Sequence, residues 1–302
     1  MYKELGRTGE KLTAIGLGTW KIPDNSMEGI EAIRAGLENG INHVDTAEMY
    51  ANERMVGKAV SGYDAFIATK VSPNHFHYDG VISSCKESLS RLKVKQIDLY
   101  QLHWPNKRVP IEETMRAMEE LVKRGWIRYI GVSNFSVPEM IEAQEAMKRE
   151  EIVSNQVEYS VFVRDAEDEL LSFCEKEHIT LTAYSPLARG GLFEDKYKEE
   201  RSKLENIGSK YGKTIAQVAL NYLICHKPVI AIPKAIEKAH VIENLDSMSF
   251  AINGAEAELI NSIGAATHRK LAGRFANIFL KHTSAWAAAM QKIEERRREK
   301  GA

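Results

Sequence analysis

The segment DTAEMY, residues 45–50, carries the two groups that a proton-transfer site needs within one turn of chain. It follows a short apolar run and places the carboxylate of Asp45 near the phenol of Tyr50. A phenol has an ordinary pKa of about 10, so it exchanges protons poorly near neutrality. A cation beside it would favour the phenolate and lower that pKa. The segment therefore predicts proton transfer if the chain also supplies a cation and a hydrogen-bonding partner.

Two further polar side chains fall where apolar runs end. Lys70 lies in FIATKVSP and His103 lies in QLHWP. Lys70 would supply the cation and pair with Asp45, while His103 would hydrogen-bond near the phenol or a substrate oxygen. Taken alone, Lys70 is typical of a surface lysine, His103 of a packed histidine and Asp45 of a helix cap. Their joint occurrence at the ends of successive runs favours one site.

A regular alternation of elements would bring these residues together. Short apolar runs alternate with longer stretches whose apolar residues recur at helical spacing. The runs predict strands at Ile15–Gly18, Asn42–Val44, Ala65–Thr69, Ile97–Leu102, Ile127–Val132, Ile152–Val157, Thr180–Ala183 and Val229–Ile232. The longer stretches predict helices at Met27–Asn39, Glu53–Ser61, Gly80–Leu92, Ile111–Arg124, Val137–Lys148, Asp168–Glu177, Ile215–His226 and Lys238–Leu245.

Eight strand–helix cycles in about 250 residues are typical of an α/β protein with a (β/α)8 TIM barrel, whose active sites lie at the C-terminal ends of the strands. An open, doubly wound sheet shows the same alternation and is the alternative. The segments Tyr2–Leu5 and Lys11–Ala14 predict an N-terminal β-hairpin. No linker-like stretch divides the chain, so we expect residues 1–302 to form a single barrel domain. We expect residues 271–302 to form a C-terminal helical tail whose role the sequence leaves open.

The bulk composition excludes several classes of partner. The chain of 302 residues has 41 basic and 42 acidic residues, a balance that argues against a nucleic-acid partner. Its three cysteines are scattered and do not indicate a disulfide framework. No apolar run approaches the roughly 20 residues that cross a membrane, and the N-terminus lacks a signal-peptide core. We therefore expect a cytoplasmic protein without a membrane partner. The sequence does not set the oligomeric state, and a monomer is compatible with it.

An ordered set of motifs resembles the aldo-keto reductase family. The motifs are GLGTW, DTAEMY followed by NERMVGKAV, FIATKV, IDLYQLHWP, GWIRYIGVSNF, NQVEYS, YSPLARGGL, KYGKTIAQVALNYL and IPKA. They cover about residues 5–244 and favour the barrel over the open sheet. The resemblance implies an NAD(P)H-dependent oxidoreductase that reduces aldehydes or ketones. It also implies a catalytic tetrad of Asp45, Tyr50, Lys70 and His103, in which Tyr50 donates the proton, Lys70 lowers its pKa and His103 orients the carbonyl.

The resemblance further implies a cofactor site without a Rossmann fingerprint, and Lys21 indeed stands where the third glycine of that motif would be. Ser133, Asn134 and Gln156 would hold the carboxamide, Tyr184 would stack on the nicotinamide, and the loop 185–192 would cover the pyrophosphate. The implied cofactor-binding positions are Gly18, Thr19, Trp20, Asp45, Ser133, Asn134, Gln156, Tyr184, Ser185, Pro186, Leu187, Arg189, Gly190, Ile232, Pro233, Lys234, His240, Glu243 and Asn244.

The adenosine end departs from the pattern of NADPH-preferring relatives. Ala235 stands where many of these relatives have serine or threonine, and His240 stands where they have arginine. The pair that contacts adenine in relatives, Glu243 and Asn244, is present. Lys234 can still pair with a 2′-phosphate, but the planar fork of arginine is missing. The sequence therefore favours NADPH modestly, with NADH as the alternative.

Aromatic residues predict an apolar substrate cleft suited to aldehydes and less polar ketones. The predicted substrate contacts are Trp20, Tyr50, His103 and Trp104, with Phe135 as a further candidate. In the tail, Phe275, Phe279 and Trp286 would either cap this cleft or pack as ordinary helix residues.

Two other functions compete with carbonyl reduction. One is a barrel that binds a nicotinamide nucleotide for regulation, without turnover. The other is a metal-dependent hydrolase, suggested by His75 and His77 with Asp79. That pair lies several residues beyond its strand, whereas metal ligands should project from the strand end, so no metal is expected.

Overall fold

Eight parallel strands form the centre of the molecule in the computed structural model, which describes residues 1–263, 285–293 and 295–296. Each strand pairs with its neighbour along the chain, so the order in the sheet follows the order in the sequence. The strands are β3 (Leu17–Gly18), β4 (His43–Asp45), β5 (Phe66–Val71), β6 (Ile97–Leu102), β7 (Ile127–Ser133), β8 (Ile152–Glu158), β9 (Thr180–Tyr184) and β10 (Val229–Ala231). They are preceded by an antiparallel hairpin, β1 (Tyr2–Glu4) and β2 (Lys11–Thr13).

The first and last strands of the sheet meet, which closes the barrel. Parallel bridges join Ile15 to Ala231 and Gly18 to Lys234. The backbone N–H of Gly18 donates to the Pro233 carbonyl at 3.2 Å. A Cβ on Gly18 would lie 2.5 Å from the Ile232 carbonyl oxygen, so only glycine permits this close approach. The predicted (β/α)8 barrel with its hairpin is thus confirmed.

Helices cover the outside of the barrel. They are α1 (Met27–Glu38), α2 (Glu53–Val60), α3 (Tyr78–Leu92), α4 (Ile111–Lys123), α5 (Val137–Ala146), α6 (Leu170–Glu177), α7 (Lys198–Tyr211), α8 (Ile215–Cys225), α9 (Lys238–Asp246) and α10 (Gly254–Asn261). Several begin at a side-chain cap: Ser26 accepts a hydrogen bond from the Gly29 N–H, and Thr214 and Asn253 form capping boxes. Because helices cover one face and the lumen the other, all residues of β4 and β5 are buried.

The predicted elements differ from the observed ones in two instructive places. Strand β5 ends at Val71 rather than Thr69, which puts Lys70 inside the strand. Helix α7 was not predicted, because its residues are mostly charged and only Leu204, Ile207 and Gly208 are buried. Its packing on α8 therefore depends on very few apolar side chains.

The described part of the tail packs away from the strand ends where chemistry was expected. Residues 285–293 are helical, and Trp286 is buried with its ring edge-on to Phe173 of α6 at 5.4 Å between centroids. Trp286 therefore packs as a helix residue. Phe275 and Phe279 lie outside the described residues.

Candidate active site

Asp45 and Lys70 form a buried ion pair at the end of the barrel. Asp45 is the last residue of β4 and Lys70 lies in the neighbouring β5, so the parallel register places them side by side. The Nζ of Lys70 donates to Oδ1 of Asp45 at 2.6 Å and to the Thr46 carbonyl at 2.8 Å. Lys70 is fully buried. Burial alone would lower its pKa, but the Asp45 carboxylate and Tyr50 outweigh burial, so the pKa lies above its ordinary value.

Amide donors bind the second oxygen of Asp45. Nε2 of Gln156 donates to Oδ2 at 2.7 Å, and Nε2 of Gln101 lies 3.4 Å from the same oxygen. A buried carboxylate with a cation on one oxygen and amides on the other is fixed in orientation. The role of Gln101 was missed from the sequence, although it lies on β6, two residues before His103. Gln156 thus bonds Asp45 of the tetrad and also lines the cavity, where it was expected to hold a carboxamide.

Tyr50 lies beside this ion pair. It ends a short 3-10 turn, Glu48–Tyr50, and its ring centroid lies 5.0 Å from Lys70 Nζ. Burial raises the pKa of Tyr50; the nearby Lys70 acts in the opposite direction but does not offset burial. The expected net lowering of this pKa is therefore wrong for the protein without ligands. The phenol is in its protonated form at neutral pH.

His103 follows β6 and faces Tyr50. The two ring centroids are 5.6 Å apart with the planes at 74°. Burial, together with the charge of Lys70, lowers the pKa of His103 to about 3. The imidazole is therefore neutral and retains one N–H donor for an oxygen in the site.

A second group of side chains lines the cavity beside the tetrad. Ser133 Oγ donates to the Gln156 carbonyl at 2.9 Å, and Asn134 Nδ2 donates to the His103 carbonyl at 3.1 Å. Tyr184 Oη donates to Asn134 Oδ1 at 3.0 Å. These bonds join the ends of β6, β7, β8 and β9 into one wall. They leave the Tyr184 ring as a flat face toward the cavity.

A cavity of about 650 Å³ is lined by side chains of both groups. Its size is typical of a small-molecule or cofactor site. Of the residues predicted from the sequence, it is lined by Gly18, Thr19, Trp20, Asp45, Tyr50, His103, Trp104, Ser133, Asn134, Gln156, Tyr184, Ser185, Pro186, Leu187, Arg189, Gly190, Ile232, Pro233 and Lys234. Lys70 is behind this lining, covered by Asp45 and Tyr50.

Some predicted residues do not line the cavity, and three lining residues were missed. His240, Glu243 and Asn244 lie on α9, beyond the lining, and Phe135 is buried. The missed residues are Lys21, Met49 and Phe193. Each directly follows or precedes a predicted segment, so their adjacency in the chain was the available signal.

The loop after β9 crosses the mouth of the cavity in a constrained conformation. Ser185, Ala188 and Arg189 all have positive φ angles, between 49° and 56°. The guanidinium of Arg189 donates to Glu158 Oε2 at 3.1 Å and lies 5.3 Å from the centroid of the Trp20 ring. Lys21 Nζ lies 4.4 Å from the same centroid. Lys234 also lines the cavity, which therefore carries three cations suited to phosphate groups.

The two histidines that suggested a metal site point to different carboxylates. His75 Nδ1 lies 2.8 Å from Glu48 Oε1, and His77 Nδ1 lies 3.2 Å from Glu113 Oε1. Within the described ranges, no group of three or more His, Cys, Asp or Glu side chains could hold a metal ion. This arrangement gives the hydrolase alternative no support.

Comparison with known proteins decides the family. The family model for the aldo/keto reductase family matches residues 14–265. This chain belongs to the aldo/keto reductase family. It is 36% identical to methylglyoxal reductase YeaE of Escherichia coli over 86% of this chain and 94% of that protein. It is 35% identical to glyoxal reductase of Bacillus subtilis over 84% and 90%.

Solved structures of aldo-keto reductases superpose on the whole barrel. A thermostable aldo-keto reductase bound to the inhibitor epalrestat has a TM-score of 0.82 and 42% identity, covering 87% of this chain and all of the other. An enzyme from Klebsiella pneumoniae, in complex with NADP and acetate, has a TM-score of 0.78 and 35% identity, covering 87% and 96%. The chain is therefore an oxidoreductase that uses a nicotinamide cofactor to reduce carbonyl compounds. No helix in residues 1–263, 285–293 and 295–296 is long and apolar enough to span a membrane.

Proposed function

We propose that this aldo-keto reductase prefers NADPH and reduces aldehydes and less polar ketones with Tyr50 as the proton donor. The observation that carries the proposal is the buried Asp45–Lys70 pair beside Tyr50 and His103 at the inner end of the cavity. The same inner end receives the amide of Gln156, which binds the other oxygen of Asp45. Neither the regulatory barrel nor the hydrolase accounts for a buried cation held against a phenol.

The tetrad divides the work of carbonyl reduction among its members. A nicotinamide supplies the hydride when bound. Negative charge develops on the carbonyl oxygen during reduction, and Tyr50 donates its phenolic proton to that oxygen. The ammonium of Lys70 stabilises the phenolate that is left, and Asp45 holds Lys70 in place. The neutral His103 donates a hydrogen bond to the same oxygen and orients the carbonyl.

The wall beside the tetrad fits a nicotinamide nucleotide. Ser133, Asn134 and Gln156 present hydroxyl and amide groups of the kind that bind a carboxamide, beside the flat ring of Tyr184. Gly190 has φ 91°, and a Cβ there would meet no described atom within 4 Å, which leaves backbone accessible on the loop over the cavity. The cations Lys21, Arg189 and Lys234 lie along the same cavity and suit a pyrophosphate and a further phosphate.

The preference for NADPH over NADH depends on the outer end of this cavity. Lys234 lines it and is exposed, so its ammonium is available to a 2′-phosphate. His240 is exposed and lies 3.8 Å from Glu237 Oε2, and it offers no planar fork. NADP and NADPH occupy the related structures from Klebsiella pneumoniae. These observations favour NADPH by a modest margin.

The substrate end of the cavity combines a polar centre with an apolar rim. Tyr50 and His103 face the reacting oxygen, whereas Trp20, Met49 and Trp104 are partly exposed around the opening. The relatives from Escherichia coli and Bacillus subtilis act on methylglyoxal and glyoxal, according to their names. We therefore assign aldehydes, including small 2-oxoaldehydes, and less polar ketones as the substrates.

The deciding experiment is an aldehyde and ketone panel with NADPH and with NADH, run beside Tyr50→Phe. Removing the phenolic proton should lower kcat by about 10²–10⁴-fold, a range typical of general acid catalysis, and leave NADPH affinity unchanged. Tyr63→Phe is the matched control, because Tyr63 bonds Glu38 at the surface. Retained turnover in Tyr50→Phe would refute the assigned donor. Tight NADPH binding without turnover in the wild type would favour the regulatory barrel instead.

A further inference from the structure

Glu48 connects the turn that carries Tyr50 to the strand that carries Lys70. It begins the short 3-10 turn Glu48–Tyr50, and its side chain is only 14% exposed. Oε2 of Glu48 accepts a hydrogen bond from the backbone N–H of Ser72 at 2.8 Å. Ser72 follows β5 directly, two residues after Lys70. One carboxylate thus joins the two segments that supply the phenol and the ammonium.

The other oxygen of Glu48 is bound by a third segment. His75 Nδ1 lies 2.8 Å from Oε1, and Ser84 Oγ of α3 donates to it at 3.4 Å. The backbone of His75 lies close to Gly80 of α3. A Cβ on Gly80 would be only 2.7 Å from the His75 carbonyl oxygen. Helix α3 and the segment after β5 therefore both contact the Glu48 carboxylate.

The local bonds of the turn do not by themselves locate it relative to Lys70. Tyr50 N–H donates to the Ala47 carbonyl and Ala51 N–H donates to the Glu48 carbonyl, and both bonds lie within the turn. They fix its shape. The Glu48 side chain adds a bond from the turn itself to the end of β5, beyond the bond from the Thr46 N–H to the Ala68 carbonyl at 2.9 Å. A displacement of about 1 Å at a reacting group can cost about 10²-fold in rate.

We propose that Glu48 is a positioning residue that holds the Tyr50 phenol in register with the Lys70 ammonium. The proposal rests on the role of Tyr50 as the proton donor. Glu48 does not touch the substrate; it acts through the turn. His75 contacts the same carboxylate at 2.8 Å, and its Nδ1 also lies 3.0 Å from Ser84 Oγ.

The chain offers a matched control for this contact. Oε1 of Glu113 on α4 accepts from the backbone N–H of Tyr78 at 2.9 Å and lies 3.2 Å from His77 Nδ1. The chemistry is the same as at Glu48: a carboxylate, a backbone N–H at the start of an element and a histidine of the same motif. Glu113 does not belong to the cavity lining. Loss of either carboxylate should therefore perturb packing similarly, but only Glu48 should affect Tyr50.

The test compares Glu48→Ala, Glu48→Gln and Glu113→Ala with the wild type. We expect Glu48→Ala to lower kcat by about 10- to 100-fold, with NADPH affinity, measured by its fluorescence on binding, within about twofold of wild type. The solvent isotope effect on kcat should rise, because a displaced phenol makes proton transfer slower. Glu48→Gln keeps an acceptor for the Ser72 N–H and should retain kcat within about threefold. Glu113→Ala should change neither kcat nor the isotope effect.

Three outcomes would overturn the proposal. One is a Glu48→Ala enzyme with wild-type kcat, and another is a kcat loss in Glu113→Ala as large as in Glu48→Ala. The third is a Glu48→Gln enzyme as slow as Glu48→Ala, which would make charge rather than the hydrogen bond decisive. Tyr50→Phe is measured in parallel. If it is inactive while Glu48→Ala is normal, the positioning role fails and the proton donor stands; if it is active, the donor assignment itself fails.

Discussion

The two ends of the cavity differ in how much of their hydrogen bonding is complete without a ligand. At the catalytic end, Asp45 and Lys70 are buried and bonded to each other and to neighbouring groups. At the proposed nucleotide end, Lys234 of the lining and His240 of α9, beyond the lining, are exposed, and His240 lies 3.8 Å from Glu237. The catalytic side chains are thus already bonded to one another, whereas the charged groups at the proposed nucleotide end are exposed to solvent.

The difference follows from what each end must do. A group that stabilises developing charge must be fixed before the reaction, since reorganisation would raise the barrier. A group that binds a phosphate exchanges water for the ligand and needs only to be within reach. We therefore expect substitutions at the proposed nucleotide end to leave the chemistry at the other end undisturbed.

Removal of the buried Lys70 ammonium should have the largest effect on the catalytic end. We expect Lys70→Met to lower kcat by about 10²–10³-fold, the range for loss of one preorganised electrostatic group. It should also lower the free energy of unfolding by about 3 kcal/mol, because Asp45 is left buried without its cation. Kinetics and urea unfolding measure the two effects.

A surface lysine serves as the control for that substitution. Lys123 lies 3.8 Å from Glu120 and is largely exposed, so Lys123→Met should change stability by less than about 0.5 kcal/mol. Adding Asp45→Asn to Lys70→Met should restore part of the stability and none of the turnover. A Lys70→Met enzyme with both properties intact would show that the pair is not the fixed centre of the site.

A substitution at the proposed nucleotide end should change the affinity for the cofactor and leave kcat unchanged. His240→Arg should tighten NADPH relative to NADH by about fivefold, since an exposed charge-assisted contact contributes about 1 kcal/mol. The kcat with saturating NADPH should not change. Dissociation constants for both cofactors test this, with Lys238→Arg on the same helix as the control. A change in kcat, or equal tightening of NADH, would contradict the separation of the two ends.

The smallest expected effect is the response of reduction to pH. His103 has a pKa of about 3 and is neutral throughout the working range. Burial raises the pKa of Tyr50, so its acidic form is present at neutral pH and is lost only as the pH rises through that raised value, above the ordinary value of about 10. The profile of kcat/KM for reduction should therefore be flat between about pH 6 and 9. A change in kcat/KM with an apparent pKa of 6–8 would contradict the lowered pKa of His103 and the raised pKa of Tyr50.

The arrangement of the barrel could be predicted because its physical causes are local. Strands buried on both faces are continuous apolar runs, and helices packed on one side show a period of 3.6 residues. The position of Asp45, Lys70 and His103 at strand ends followed from that alternation. Helix α7 was not predicted, because its buried residues are too few to show a helical period.

Other features depend on contacts between distant segments and could not be predicted. The pKa of Tyr50 is set by how deeply the folded chain covers the phenol, which no pattern in DTAEMY encodes. The partners of Glu48 are a backbone N–H after β5 and a histidine beyond it, so its role appears only when the strands are side by side. The resemblance to the family supplied the cofactor residues, but not the neighbours Lys21, Met49 and Phe193.

The contact of Gly18 with the strand after β10 has a consequence for how the protein is made. Gly18 and Lys234 belong to segments near opposite ends of the barrel sequence, yet both line the same cavity. The part of the cavity that Gly18 and Lys234 line is complete only after the late segment returns to the first strand. Long-range closure of this kind is slow. Binding of the nucleotide therefore selects finished molecules, and it stabilises them against reopening along that seam.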